Sequence, residues 1–431
     1  MIQDHSTAFM NKKVAYIYYF VIILIMAIWD GIGVDVPMIV RLGFLALTFV
    51  PLFKWVEMLP AVFVATLTIS FNAFTSPLLP TSRYFYVIIL LAFTLVSGAK
   101  KLVLPPGIFI LCLLMTVLTD LFQQGEFSYV SNKVLMVLLL YVIIKGNKVR
   151  SREHMSYAFM MITNVLSYWT LLRPEAQMEA VHAIEGFEDV ASWTDPNYLG
   201  CMIALGSTVA INEMLNNRDK GLKTFLCAVT IVASVFSLAY LASRGAIVAL
   251  AAGLLVIVLF SKQTKKSYKF LFIVLVAAFL TFMYQSSYFD FAIARFQSDT
   301  MATGTDRTGI WTEKLTAFFT ECSPIDWLIG LSHDRGLELG RFGRARAFHN
   351  DFVAALVEYG IVGLSLFIYT LYRIVKRTPK EYKNTVWGLL AAYVAVCMTL
   401  EPTFSDMPTS IVFICFIFYM LLFTKNGKEA R

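Results

Sequence analysis

Charge is what this chain lacks. Only 15% of its 431 residues are Asp, Glu, Lys or Arg and 58% are hydrophobic, whereas water-soluble domains run about a quarter charged. That balance excludes an ordinary soluble globule and assigns the chain to lipid. Disulfides are excluded too: of six cysteines, Cys112, Cys201, Cys227, Cys397 and Cys415 lie in apolar segments and only Cys322 in a long loop. The sequence has no GxxxxGK[ST] phosphate loop, no GxGxxG after a strand, no Asp-x-Asp pair, and no His or Cys spacing suited to zinc. These absences predict a protein without nucleotide, metal or cofactor. The net charge of +7 resides in short basic clusters between apolar runs, which topology alone produces, so no nucleic-acid partner is expected.

What is present is a series of apolar runs. Taking stretches of about 17 to 25 residues as helices gives an all-α integral membrane protein of about fourteen spans (twelve to fourteen), starting near residues 14, 36, 58, 84, 102, 128, 155, 197, 222, 244, 268, 350, 384 and 408. Lys12 and Lys13 precede the first run, which is kept as a span and not as a cleaved signal. Basic residues collect in every second connector, among them Lys100/Lys101, Arg218/Lys220/Lys223, Lys262/Lys265/Lys266/Lys269 and Arg373/Lys376/Arg377. By the positive-inside rule both termini are then cytoplasmic. The opposite connectors are acidic (Glu175, Glu179, Glu185, Glu188, Asp189, Asp195), and their basic residues are almost all arginine.

One polytopic domain is expected: spans 1 to 11 over 14–286, a long outer loop over 287–349, and spans 12 to 14 over 350–424. Connections of that length are usually functional. Within the loop, Thr308 to Phe319 reads as an amphipathic helix, with Ile310, Trp311, Leu315, Phe318 and Phe319 on an apolar stripe suited to a membrane surface.

The residues equipped for chemistry lie around this loop. Arg244, in Ala242-Ser243-Arg244-Gly245, opens a small-residue helix. It is either an interfacial anchor or, since small neighbours admit a bulky anion, a fork onto phosphate oxygens. Arg307 sits near the positive end of the helix that Asp306 and Thr308 are placed to cap, a position that an anion would relieve. His349 follows the cluster Arg341, Arg344 and Arg346; its imidazole, ordinarily near pKa 6.5, can accept a proton at neutral pH. Asn350 and Asp351 read as the cap of the next span. Glu358, a carboxylate at membrane depth, is expected to pair with an arginine or a backbone group.

At these residues the sequence resembles the superfamily of O-antigen ligases and Wzy polymerases. The matching stretches are Asp195-Pro196-Asn197-Tyr198-Leu199-Gly200, Ser243-Arg244-Gly245, Arg307 with Trp311, and His349-Asn350 running into Leu356-Val357-Glu358-Tyr359-Gly360-Ile361-Val362-Gly363-Leu364. The resemblance covers about residues 195 to 375. It implies a membrane glycosyltransferase of the bacterial plasma (inner) membrane, with its site facing the periplasm or outside. Donor and acceptor would be undecaprenyl-diphosphate-linked oligosaccharides, with membrane lipids and a chain-length regulator protein as further partners. Arg244 and Arg307 would hold the donor diphosphate and His349 would activate the acceptor hydroxyl. Arg341, Arg344, Arg346, Asn197, Asn350 and Glu358 would play supporting parts, no specific role attaching to Asn197.

The expected activity is polymerisation of repeat units into O-antigen or capsular polysaccharide, metal-independent and inverting. Its alternatives are an O-antigen ligase transferring glycan to lipid A-core and, from another class, a lipid-linked glycan flippase. A flippase is expected to carry charges mid-membrane and to have short loops on both faces. A non-catalytic scaffold would leave the three named side chains dispensable.

Overall fold

The structure, a computed structural model, describes residues 14–22, 24–25, 37–50, 150–172, 196–216, 221–260, 307–340, 347–400 and 410–424, with single positions (114, 269, 270, 273, 274, 277, 281, 285, 403) besides. Among the described residues there are helices and no strands. The spans expected from near 58, 84, 102, 128 and 268, and the cluster Arg341, Arg344 and Arg346, lie outside them but for single positions. The chain folds as two compact units, one of residues 1–103 and 139–241 and another of 104–138 and 242–431.

The first unit contains α1 (Met38–Phe49), α2 (Arg150–Leu172), α3 (Pro196–Asn216) and α4 (Leu222–Leu241). Helices α2, α3 and α4 pack pairwise. Lipid gives apolar faces no reason to prefer each other, so polar side chains join them. Asn164 Nδ2 donates to Thr230 Oγ1 at 2.6 Å and Ser237 Oγ to the Ser167 carbonyl at 3.0 Å. At one edge Lys223 Nζ meets Glu213 Oε2 at 2.6 Å.

The second unit holds α5 (Arg244–Phe260), α6 (Arg307–Glu321), α7 (Pro324–Ile329), α8 (His333–Glu338), α9 (Asp351–Arg377), α10 (Lys383–Cys397) and α11 (Ser410–Leu421). Pro196–Leu215, Lys223–Leu241 and Asp351–Arg377 are long and apolar enough to cross a membrane, and Arg244–Leu259 and Val412–Leu421 are shorter apolar helices. Helix starts at 196, 222, 244, 351, 383 and 410 coincide within two residues with those read from hydropathy.

Helix α5 lies along α10, while α6, α7 and α8 pack on α9. The expected amphipathic helix is thus present as α6. It docks on protein through Lys314, Ala317 and Phe318, while Phe319, on the expected apolar stripe, is 45% exposed. A capping box starts α7: Ser323 Oγ accepts from Asp326 N at 3.3 Å and Asp326 Oδ2 from Ser323 N at 3.0 Å, with Pro324 at the first helical position. Phe318, Leu331, Phe348, Ala354 and Val357 form the core under these helices.

A backbone break positions all of this. Gly360 has φ 67° and ψ −172° within α9, a conformation open essentially to glycine. The break frees the Val357 and Glu358 carbonyls, which in lipid need partners. Leu331 N donates to Val357 O at 2.9 Å and Ser332 N to Glu358 O at 3.0 Å. Such approach requires two glycines: a Cβ on Gly360 would lie 2.2 Å from the Leu328 carbonyl oxygen, and one on Gly330 2.2 Å from that of Glu358.

The side chain of Glu358 strengthens the same contact. Its fully buried carboxylate meets His333 Nδ1 at 2.6 Å. The expectation of an arginine or backbone partner is corrected: the partner is a second imidazole, 25 residues upstream, supplied by the docked loop.

Gly360→Ala adds a clash and a strained φ, and is expected to cost roughly 2 to 5 kcal/mol. Thermal unfolding in detergent checks this, with Gly43→Ala, where a Cβ meets nothing within 4 Å, as the unchanged control. His333→Ala and Glu358→Ala should each cost about 3 kcal/mol. The double variant should fall well short of their sum, because the pair is lost once.

Candidate active site

Four segments of the second unit meet at Thr399, just beyond the end of α10. The Arg307 guanidinium donates through Nη1 to the Thr399 carbonyl at 2.8 Å. The first turn of α5 lies against the Thr399 side chain, so closely that a Cβ on Gly245 would be 2.7 Å from its Oγ1. Asp351 N donates to the Leu400 carbonyl at 3.1 Å, and the Asp351 carboxylate accepts from Thr403 N at 3.0 and 3.2 Å. The starts of α5, α6 and α9 are therefore fastened to one short stretch, which brings Arg244, Arg307 and His349 into one neighbourhood.

Arg307 is the first residue of α6. A cation at a helix N-terminus is disfavoured by about 0.3 to 1 kcal/mol. Here the guanidinium reaches past its own helix to a carbonyl at the C-terminal, negative end of α10, which offsets part of that cost. Arg244, the first residue of α5, is half-buried and has no hydrogen-bond or ion-pair partner among the described residues. It follows Ala242, which takes a left-handed φ of 47°.

His349 is held by its neighbours in sequence. On one side Phe348 is fully buried, and its carbonyl accepts from Trp311 Nε1 at 2.7 Å. On the other, Asn350 Oδ1 accepts from Phe352 N at 2.9 Å and Val353 N at 3.3 Å, the cap of α9 expected from sequence. Between these anchors His349 adopts a left-handed φ of 51°. Its Nδ1 is buried without a hydrogen-bond partner among the described residues. Burial, and secondly the Arg307 guanidinium, hold its pKa down to about 4, so the imidazole is neutral at physiological pH. An unfolded imidazole takes a proton below about 6.5, so the fold loses stability as pH falls from there toward 4.

Lys314 was not singled out from the sequence. It is 3% exposed; its Nζ donates to the Gly336 carbonyl at 3.2 Å and the Leu337 carbonyl at 2.5 Å and lies 5.5 Å from the Phe348 ring centroid. The clue was its register, three residues after Trp311 and four before Phe318. Asn197 lies on the first turn of α3 in the other unit. Among the described residues no group of three His, Cys, Asp or Glu side chains is arranged to hold a metal ion.

Chemically, the neighbourhood combines two guanidinium-bearing helix starts with a neutral imidazole, a set that can bind an anion and take a proton beside it. A family model described as O-antigen ligase matches residues 229–368, a stretch that holds Arg244, Arg307, Trp311, His349 and Glu358. No curated protein matches the chain. Over residues 229–368, from within α4 to within α9, the chain is thus similar to the O-antigen ligase family.

Proposed function

We propose that the chain is a membrane glycosyltransferase that transfers a glycan from a polyprenyl diphosphate to a hydroxyl acceptor on the outer side of the plasma membrane. The observation that carries this reading is the attachment of the Arg244, Arg307 and His349 segments to Thr399–Leu400. The donor diphosphate binds Arg244 and Arg307. The acceptor oxygen attacks the anomeric carbon, the bond from that carbon to the diphosphate oxygen breaks, and the lipid diphosphate leaves with the electron pair. His349 takes the acceptor proton. Attack from the face opposite the leaving group inverts the anomeric centre. The guanidinium groups stabilise charge gathering on the leaving group.

The base is weak when nothing is bound, first because it is buried and second because Arg307 is near, and donor binding relieves the second cause. Arg307 is one cause of the low pKa of His349; a diphosphate placed on that guanidinium cancels its field at the imidazole and raises proton affinity as the reaction needs it. The base therefore strengthens when substrate arrives.

Two acceptors fit this chemistry. Transfer to another lipid-linked repeat unit makes the chain a polymerase, the acceptor favoured from sequence. Transfer to lipid A-core makes it a ligase, which the description of the matching family supports. In a deletion strain the surface lipid carries single repeat units if a polymerase is lost and no repeat unit if a ligase is lost.

Arg244→Ala, Arg307→Ala and His349→Ala should each lower transfer by about 10² to 10³ with the protein still in the membrane. Wild-type product from any of them, in cells and in a purified assay, would remove that residue from the mechanism. The pH profile supplies a separate test. The acid limb of kcat/KM, which reports the free enzyme, should fall near pH 4, and that of kcat at higher pH. Coincident limbs would contradict the coupling of donor to base.

A further inference from the structure

Helix α9 carries its own depth scale. At its basic end Tyr369 and Tyr372 are exposed, with the Arg373 guanidinium 5.5 Å from the Tyr369 ring centroid and Lys376 Nζ 5.4 Å from that of Tyr372. Such a belt of aromatic rings and cations marks where a span leaves the hydrocarbon. Gly360 is then about 18 Å inside that boundary, at about 1.5 Å per residue, which is past the midplane of a core about 30 Å thick and about 12 Å short of its far face. Between the two, Ile361, Ser365, Ile368 and Tyr372 are exposed along one helix face, a stripe suited to lipid.

The segment docked at the level of Gly360 belongs to the loop before α9. The Leu328 carbonyl oxygen lies where a Cβ on Gly360 would be 2.2 Å away, and Gly330 lies as close to the Glu358 carbonyl. Leu331 N and Ser332 N donate to the Val357 and Glu358 carbonyls. The end of α7 is therefore as deep as Gly360. At that depth backbone polar groups need partners within the protein, and α7 has them: Gly330 N donates to the Asp326 carbonyl at 2.7 Å, and the Asp326 carboxylate accepts from Ser323 N at 3.0 Å and Ser323 Oγ at 2.7 Å. The outward surface of α7 is apolar. Ile325 and Leu328, three residues apart on one face, are 65% and 53% exposed.

We propose that α7 is a re-entrant element: it dips into the leaflet that the start of α9 enters and sets Ile325 and Leu328 against the acyl chains, whatever reaction His349 serves. Continuity identifies the occupant. The Leu328 carbonyl abuts Gly360, and the next residue, Ile361, is the first of the exposed stripe of α9, so an acyl chain lying on that stripe continues onto α7. An amphipathic helix lying on the membrane would keep its apolar face at the level of the headgroups; the fastening at Gly360 holds α7 below them. The bilayer then bears directly on the seam around Gly360.

The test uses the full-length protein in lipid nanodiscs, with a fluorescent amino acid introduced separately at Ile325 and at Leu328; both side chains are exposed, so the probe needs no room inside the fold. Ile368, on the stripe of α9, is the lipid reference, and Lys380, exposed beyond the basic end of α9, is the water reference. Bromine carried on the acyl chains should quench both α7 probes within about twofold of Ile368, and aqueous iodide should quench them about fivefold less than Lys380, as immersion in hydrocarbon requires. At Leu328, bromine near the chain ends should quench more than bromine near the headgroups. The reverse order places α7 at the membrane surface and overturns re-entry. Iodide quenching equal to that at Lys380 overturns the contact with lipid, and protection from both quenchers, which means that protein covers this face, overturns it as well.

Discussion

The site depends on an interruption of hydrogen bonding inside an apolar helix. An unbroken α9 would satisfy all its own carbonyls and present an apolar wall to the segments before it. The left-handed Gly360 frees two carbonyls, and backbone groups without water must find partners. Leu331 and Ser332 supply them, so the short helices α7 and α8 are fastened to α9 by backbone geometry and not only by apolar contact. The buried His333–Glu358 pair adds a side-chain bond to the same seam. Apolar packing is non-directional; this seam has direction, and it fixes how α6 is presented.

From that seam the consequences reach Arg307 and His349 in two steps. Phe318 and Phe348 pack in the core between α6 and α9, and Trp311 and Lys314, both on α6, grip the Phe348 carbonyl and the end of α8. Once α6 is fixed, its first residue, Arg307, can reach only a limited region, and the carbonyl it meets belongs to Thr399, beyond α10. The start of α9 is tied there as well through Asp351. His349 thus lies between two fastened segments, which fits its unusual φ: a left-handed histidine persists only where the surroundings over-determine it.

Hydropathy made the helix starts near 197, 222, 244, 350, 384 and 408 legible, because span length is a local property of the sequence. The Asn350 cap and the helix after Arg307 were legible for the same reason, since caps and 3.6-residue periods are read within a few positions. The Gly360 break was not. It lies in a run whose average hydropathy it hardly changes, and its cause is a carbonyl of α7 that no local window contains. The partners of Glu358 and Arg307 were hidden likewise, one being 25 residues away and the other a main-chain oxygen 92 residues on. Lys314 was not singled out, because the carbonyls it meets lie outside its own helix: a long stem can bury its methylenes while its ammonium meets helix-end carbonyls.

The same contacts show how a backbone oxygen helps to anchor a cation. Carboxylates near the arginines would hold them rigidly, but would also compete with any anionic ligand. Here Asp351 directs its oxygens to the Thr403 amide and Glu358 directs Oε1 to His333, while Arg307 leans on a main-chain carbonyl. A carbonyl dipole orients a guanidinium at far smaller electrostatic cost to an incoming anion than a full negative charge would impose. Arg307 lies close enough to His349 to add to the lowering of its pKa, of which burial is the larger cause. A backbone oxygen in the anchor therefore does two things at once: it helps to fix the cation in space, and it opposes an incoming anion less than a carboxylate in its place would.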